Sequence, residues 1–182
     1  MLYPISLQTA GWVVGAALLF SHALALLQPV KCQQQLTSFP RSKIMGPLLL
    51  SVAAIWTLIL IRQMDLGEFA PFRGGLMIGT LIAWGLTWKF VPEFLAVRSL
   101  GMLALLAAEP LLNAAFLQPP TSRLLLVSLA YVWIFLGLFW VGLPYLLRDQ
   151  IAWVNQSPLR WKLAAIGGVV YGLLLIGFAF TW

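Results

Sequence analysis

The chain has 182 residues, of which 62% are hydrophobic and only 9% are charged, and its formal net charge is +6. A soluble domain carries about 25% charged residues, so this composition excludes an ordinary soluble protein and indicates a membrane protein. The basic residues stand at the ends of apolar segments, where they mark topology and contact lipid rather than nucleic acid. With one cysteine (Cys32) and one histidine (His22), we expect no disulfide, no metal site and no cofactor.

Six long apolar segments follow one another along the chain. Their approximate bounds are residues 9–27, 44–61, 74–90, 99–117, 124–147 and 163–181. Each is close to the roughly 20 residues that a helix needs to cross a hydrocarbon core of about 30 Å. Because a membrane helix satisfies its own backbone hydrogen bonds, the sequence predicts an all-α polytopic bundle of about six transmembrane helices. Residues 1–182 are predicted to form a single transmembrane domain, whose first partner is the lipid bilayer.

The first segment contains Gly11 and Gly15, the GxxxG spacing that lets two membrane helices approach closely. The same spacing recurs in the third and sixth segments, at Gly75 and Gly79 and at Gly168 and Gly172. These faces predict contacts with other membrane subunits or with a second copy of the chain. His22, near the end of the first segment, is a candidate proton relay or ligand, and the alternative is a histidine that is only hydrogen-bonded at the membrane surface.

The fourth segment carries one carboxylate, Glu109, near its middle. An ionised carboxylate at the bilayer midplane costs about 2.5–3.5 kcal/mol on insertion scales, so such residues indicate a functional site by default. Pro110 has no N–H, which predicts that the helix is kinked or broken at Glu109-Pro110. Asn113 lies four residues after Glu109 on the same helical face. The sequence therefore predicts a substrate or proton site at Glu109, Pro110 and Asn113, with His22 as a further member.

The connection after the fifth segment has the pattern of an interfacial stretch, and Arg148, Arg160 and Lys162 are predicted to contact lipid headgroups there. Basic residues are unevenly distributed between the two sides. The odd-numbered connections hold Lys31, Arg41, Lys43, Lys89, Arg98, Arg148, Arg160 and Lys162, and the even-numbered ones hold Arg62, Arg73 and Arg123. Because cytoplasmic connections carry the excess of Lys and Arg, we expect an inner-membrane protein with the odd connections in the cytoplasm and both termini outside.

Three functions are compatible with the sequence. The first is transport of a small solute or ion, with the Glu109 carboxylate at the polar site. The second is a non-catalytic membrane subunit or scaffold of a larger complex, indicated by the small size and the GxxxG faces. The third is an intramembrane enzyme acting on an apolar or lipid substrate, which is disfavoured because the only aspartates, Asp65 and Asp149, lie at membrane edges. The midplane carboxylate slightly favours transport, because a scaffold has no need for it.

Overall fold

The computed structural model describes residues 5–182 and contains eight α-helices and no strand within that range. The helices are α1 (Leu7–Leu27), α2 (Pro29–Ser38), α3 (Met45–Gln63), α4 (Arg73–Phe90), α5 (Leu95–Ala115), α6 (Arg123–Gly142), α7 (Tyr145–Asn155) and α8 (Pro158–Ala179). Two short 3-10 segments, Phe39–Arg41 and Gly67–Phe72, precede α3 and α4. The predicted all-α fold is confirmed.

Six of the helices are long and apolar enough to cross a membrane: α1, α3, α4 with the 3-10 segment before it, α5, α6 and α8. The chain is therefore a multi-pass membrane protein with the six spans that hydropathy predicts. The other two helices, α2 and α7, were not predicted as separate elements. Residues 29–38 form α2 where a loop was expected, and the predicted fifth span ends at Gly142 instead of residue 147. Pro144 separates α6 from α7, because the residue before a proline is disfavoured in helical conformation.

Local sequence signals explain where several helices begin. The hydroxyl of Ser6 accepts a hydrogen bond from the backbone N–H of Thr9 at 3.1 Å and so caps α1. Pro29 and Pro158 occupy the first positions of α2 and α8, where the missing N–H costs nothing. These signals place α2 directly after the first span and α8 directly after α7, so that the ends of four helices meet on one side of the bundle.

Helix α5 occupies the centre of the bundle and packs against α3 on one side and α6 on another. Of its most apolar 18-residue window, 44% is buried, whereas none of the corresponding window of α4 is buried. Helix α4 packs mainly on α3, with the indole N–H of Trp84 donating to the Ser51 hydroxyl at 3.1 Å. Helix α4 is therefore the most peripheral of the six spans.

Glycines hold α1 against α8. A Cβ built on Gly172 would lie 2.8 Å from the carbonyl oxygen of Gly15, and one built on Gly15 would lie 2.9 Å from the carbonyl oxygen of Gly172. A Cβ on Gly11 would meet the Trp182 ring, and one on Gly168 would meet the ring of His22. These four glycines pack two helices of the same chain, so their closest approach is used within the chain, and contacts with another subunit or a second copy stay a prediction.

The GxxxG pair in α4, Gly75 and Gly79, is not packed against another described helix. No described atom lies within 4 Å of a Cβ built on Gly75 or Gly79, so this face of α4 is open. The interface between α5 and α6 instead uses a glycine pair without that spacing. A Cβ on Gly101 would lie 2.8 Å from the carbonyl oxygen of Gly137. Close helix approach is thus decided by which glycines face each other across two helices.

The largest buried cluster lies at the end of the bundle where α1 begins, α5 ends, α6 begins and α8 ends. Its members are Leu7, Ala10, Val14, Ala108, Leu111, Ala114, Ala115, Leu126, Ala130 and Leu175. Tyr171 extends this contact by donating its hydroxyl proton to the Leu125 carbonyl at 2.7 Å, which joins α8 to α6. At the opposite end, α1 and α8 meet α2 and α7 instead.

Candidate functional site

Glu109 and Asn113 form a hydrogen-bonded pair on α5. The amide nitrogen Nδ2 of Asn113 donates to Oε1 of Glu109 at 2.7 Å, as their four-residue spacing predicts. The second carboxylate oxygen, Oε2, is buried and has no hydrogen-bond partner among the described residues. A carboxylate oxygen shielded from solvent and without a donor is unfavourable in an apolar environment. The pair therefore has an unused acceptor beside the buried core of the bundle.

Helix α5 continues through Pro110 as one helix, so the predicted break at Glu109-Pro110 does not occur, and a kink there stays a prediction. Pro110 is buried, and its missing N–H deprives the Leu106 carbonyl of its usual helical donor. The helix also begins at Leu95, four residues before the predicted start, and ends at Ala115. Glu109 consequently lies four residues, or about 6 Å, beyond the middle of the helix, in the half that contributes to the buried cluster.

His22 is held in one orientation by α1 and α8. Its Nδ1 lies 2.9 Å from the carbonyl oxygen of Leu18 and 3.1 Å from the hydroxyl of Ser21. A carbonyl oxygen only accepts hydrogen bonds, so Nδ1 is the donor in the contact with Leu18. The ring packs directly over Gly168, and no described residue hydrogen-bonds Nε2. Gly168, one of the glycines predicted to admit another chain, makes room for this imidazole.

A cavity of about 670 Å³ lies between the end of α1, α2, α7 and the beginning of α8. Ten of its sixteen lining residues are apolar. The polar ones are Ser21, His22, Cys32, Gln35, Gln150 and Asn155. This volume falls within the range of about 300–1,000 Å³ that is usual for small-molecule sites, which are mostly apolar with a few polar groups that fix orientation. Glu109, Pro110 and Asn113 do not line the cavity, so the structure divides the predicted site into two separate places.

Two hydrogen bonds hold the walls of this cavity together. The Asn155 amide Nδ2 donates to the Thr37 hydroxyl at 3.1 Å and joins α7 to α2. The indole N–H of Trp161 donates to the Ala25 carbonyl at 2.9 Å and joins α8 to α1. The Cys32 side chain is a free thiol 3.6 Å from the Leu24 carbonyl oxygen. The cavity is thus built between elements whose packing is fixed by specific polar contacts.

The sequence interpretation missed this cavity because it treated the connections that contain α2 and α7 as loops. One signal was present in α7. Leu147, Ile151 and Val154 follow one another at intervals of four and three residues, the spacing of one helical face, and all three line the cavity. The polar lining residues of α2, Cys32 and Gln35, carry no comparable signal, because a thiol and an amide in a polar stretch are typical of any loop.

The three basic residues predicted to contact lipid headgroups are in different environments. Arg148 pairs with its neighbour Asp149 at 2.8 Å. The guanidinium of Arg160 lies 4.6 Å from the ring centroid of Trp153 and donates to that residue's carbonyl at 3.2 Å. Lys162 is exposed. All three lie near the same end of the bundle, but they do not form one cluster.

No group of three or more His, Cys, Asp or Glu side chains within residues 5–182 is arranged to hold a metal ion. The candidate sites are the carboxylate pair on α5 and the cavity beside His22. Comparisons of the chain with protein-family models, with curated proteins and with solved structures gave no match.

Proposed function

We propose that this multi-pass membrane protein binds an amphiphilic, lipid-like molecule in the cavity between α1, α2, α7 and α8. The observation that carries the proposal is the cavity itself, about 670 Å³ in volume, apolar over most of its lining, with six polar side chains. An apolar chain fits the lining of α7 and α8, and a polar end group finds Nε2 of His22 and the amides of Gln35 and Gln150.

The polar groups decide which molecule binds. A ligand that enters from the bilayer gains little from apolar burial, because lipid tails are as apolar as the lining residues. Each hydrogen bond to a polar lining group contributes about 0.5–1.5 kcal/mol. The site therefore selects for the head of the ligand more strongly than for its chain, and an acyl chain with a hydrogen-bonding end group is the chemistry that it fits.

Filling the cavity tests this proposal. Ala164 lines the cavity, whereas Leu163, the preceding residue, does not line it and is 61% exposed. In nanodiscs, a diazirine-bearing fatty acid should cross-link to peptides of α1, α2, α7 and α8. Ala164→Phe should reduce that labelling at least tenfold, since the new ring occupies the space of the chain, and Leu163→Phe should leave it unchanged. Equal labelling of the two variants, measured by mass spectrometry, would contradict the proposal.

The second candidate function is transport of a small ion or solute at Glu109. It is favoured by one observation, the buried Oε2 that has no described partner. A carboxylate in this position is stabilised by a proton, by a cation or by a donor from outside the chain. Because α1 and α8 supply the cavity and α5 supplies the carboxylate, the two candidate functions are separable by mutation.

We also infer that residues 1–182 form one transmembrane domain in the inner membrane, with the odd-numbered connections in the cytoplasm and both termini outside. The excess of basic residues in the odd connections supports this orientation. Contacts support the placement of the odd connections on one common side, because Arg41 and Arg148, from the first and fifth connections, both lie over the ring of Phe94 in the third.

Labelling of introduced cysteines tests the orientation. In a Cys32→Ser background, Ser157→Cys lies in the fifth connection, and Glu68→Cys lies in the exposed 3-10 segment that begins the third span, next to the second connection. In intact spheroplasts, a membrane-impermeant maleimide should label Glu68→Cys, and it should label Ser157→Cys only after the cells are permeabilised. The reverse pattern would place the odd connections outside.

A further inference from the structure

Two arginines from distant parts of the chain lie over the same aromatic ring. The guanidinium carbon of Arg41 is 5.9 Å from the centroid of the Phe94 ring, and that of Arg148 is 6.0 Å from it. The two carbons are therefore no more than about 12 Å apart, the sum of these distances. Arg41 ends the 3-10 segment before α3, Phe94 directly precedes α5, and Arg148 lies on α7. The first, third and fifth connections thus bring the positive charges of Arg41 and Arg148 to the ring of Phe94.

These charges are only partly neutralised within the described chain. Arg148 pairs with Asp149 at 2.8 Å, and both side chains are about half exposed, at 49% and 53%. Arg41 is exposed and has neither an ion pair nor a hydrogen bond to a described residue, and Glu93 pairs with neither arginine. Arg98, in the first turn of α5, adds a third guanidinium whose Nε is buried and without a described partner. An excess of positive charge remains at this end of the bundle.

The backbone at Phe94 is unusual as well. Its φ is +54°, in the left-handed region that residues with a Cβ rarely adopt. Unfavourable backbone conformations of this kind persist where the surrounding structure fixes them, and they are concentrated at binding sites. Here the conformation places the ring where both arginines reach it, and the attraction between cation and ring offsets part of the repulsion between the two guanidinium groups.

We propose that Arg41 and Arg148, held over Phe94, bind the phosphate of an anionic phospholipid headgroup. The planar guanidinium group matches phosphate geometry with two parallel hydrogen bonds, and a phosphate between two such groups relieves their repulsion. The source of the phosphate is a lipid because the apolar surface begins immediately beside the arginines. Ile44 and Leu48, just after Arg41, are 74% and 51% exposed and offer a path for acyl chains along α3.

Lipid binding to the purified full-length protein tests the site. Native mass spectrometry should show more bound dioleoylphosphatidylglycerol than dioleoylphosphatidylcholine, which has the same acyl chains and no net charge. A basic residue near an anionic lipid contributes about fivefold to affinity, so Arg41→Gln with Arg148→Gln should reduce the preference about 25-fold. The matched control, Lys31→Gln with Lys89→Gln, removes the same charge from two exposed side chains of the odd-numbered connections and should keep the preference.

Two further measurements complete the test. Phe94→Leu keeps every charge but removes the ring, and it should reduce the preference with the helix content unchanged by circular dichroism. The single variant Arg41→Gln, at an exposed side chain without a described partner, should retain the fold and lose about fivefold. An equal loss in both double variants would overturn the site in favour of general surface charge. Binding of inorganic phosphate without any preference between the two lipids would overturn the lipid assignment.

Discussion

Gly172→Ala should destabilise the protein by about 1–3 kcal/mol, the usual cost of forcing an extra carbon into a packed interface. The new Cβ would lie 2.8 Å from two backbone atoms of α1, the Gly15 carbonyl oxygen and the Leu19 nitrogen. Neither backbone atom can rotate away, so α1 and α8 must separate. Because α8 also lies against His22 through Gly168, the separation should enlarge the cavity and weaken ligand binding in it.

The control for this substitution is Gly177→Ala in the same helix, where no described atom lies within 4 Å of the added carbon. Alanine is a better helix former than glycine, so this variant should be as stable as the wild type or slightly more stable. Thermal unfolding in one detergent, followed by circular dichroism, compares the two variants directly. Equal midpoints would mean that α1 and α8 do not pack through Gly15 and Gly172 in the membrane protein.

Proteoliposomes that contain Glu109→Gln should lose the proton movement that the second candidate function requires. Glutamine has nearly the same shape as glutamate, and its carbonyl oxygen can still accept the hydrogen bond that Asn113 donates at 2.7 Å. The substitution therefore keeps the pair but removes the group that exchanges a proton. With a potassium diffusion potential as the driving force and an internal pH dye as the readout, the flux of Glu109→Gln should fall from the wild-type rate to the level of empty liposomes.

Glu68→Gln is the matched control for that experiment, since Glu68 is exposed in the 3-10 segment before α4 and its substitution should leave the flux unchanged. Asn113→Ala should give an intermediate rate, because it leaves both carboxylate oxygens without the donor that orients them. Flux that persists in Glu109→Gln, or a wild-type rate equal to that of empty liposomes, would end the proposal that Glu109 transports protons and leave the cavity as the favoured candidate site.

The sequence predicts the six spans well because hydropathy depends on local composition, and the bilayer requires about 20 apolar residues for each crossing. The four-residue spacing of Glu109 and Asn113 is local in the same sense, and the hydrogen bond between them is observed. The helical continuity of α5 through Pro110 is not local. It depends on burial of that proline among neighbouring helices, which a propensity argument does not include.

Which helices pack against each other could not be predicted from one sequence. His22 and Gly168 are in contact although 145 residues lie between them along the chain. The sequence of neither segment predicts that the two helices pack together. Gly75 and Gly79 have the same spacing as Gly168 and Gly172, yet only the second pair is packed. A helical face of small residues permits close packing of a second helix, but which helix packs there depends on the arrangement of the whole bundle.

The pairing of α1 with α8 has a consequence for biogenesis. At a synthesis rate of about 5–20 residues per second, roughly 7–30 seconds pass between the emergence of α1 and that of α8. Helices α3 to α6 can assemble with their sequence neighbours during this interval, whereas the glycine face of α1 has only lipid against it. The glycine face of α1 therefore has to remain accessible until α8 enters the membrane, so the cavity between these two helices forms only at the end of insertion.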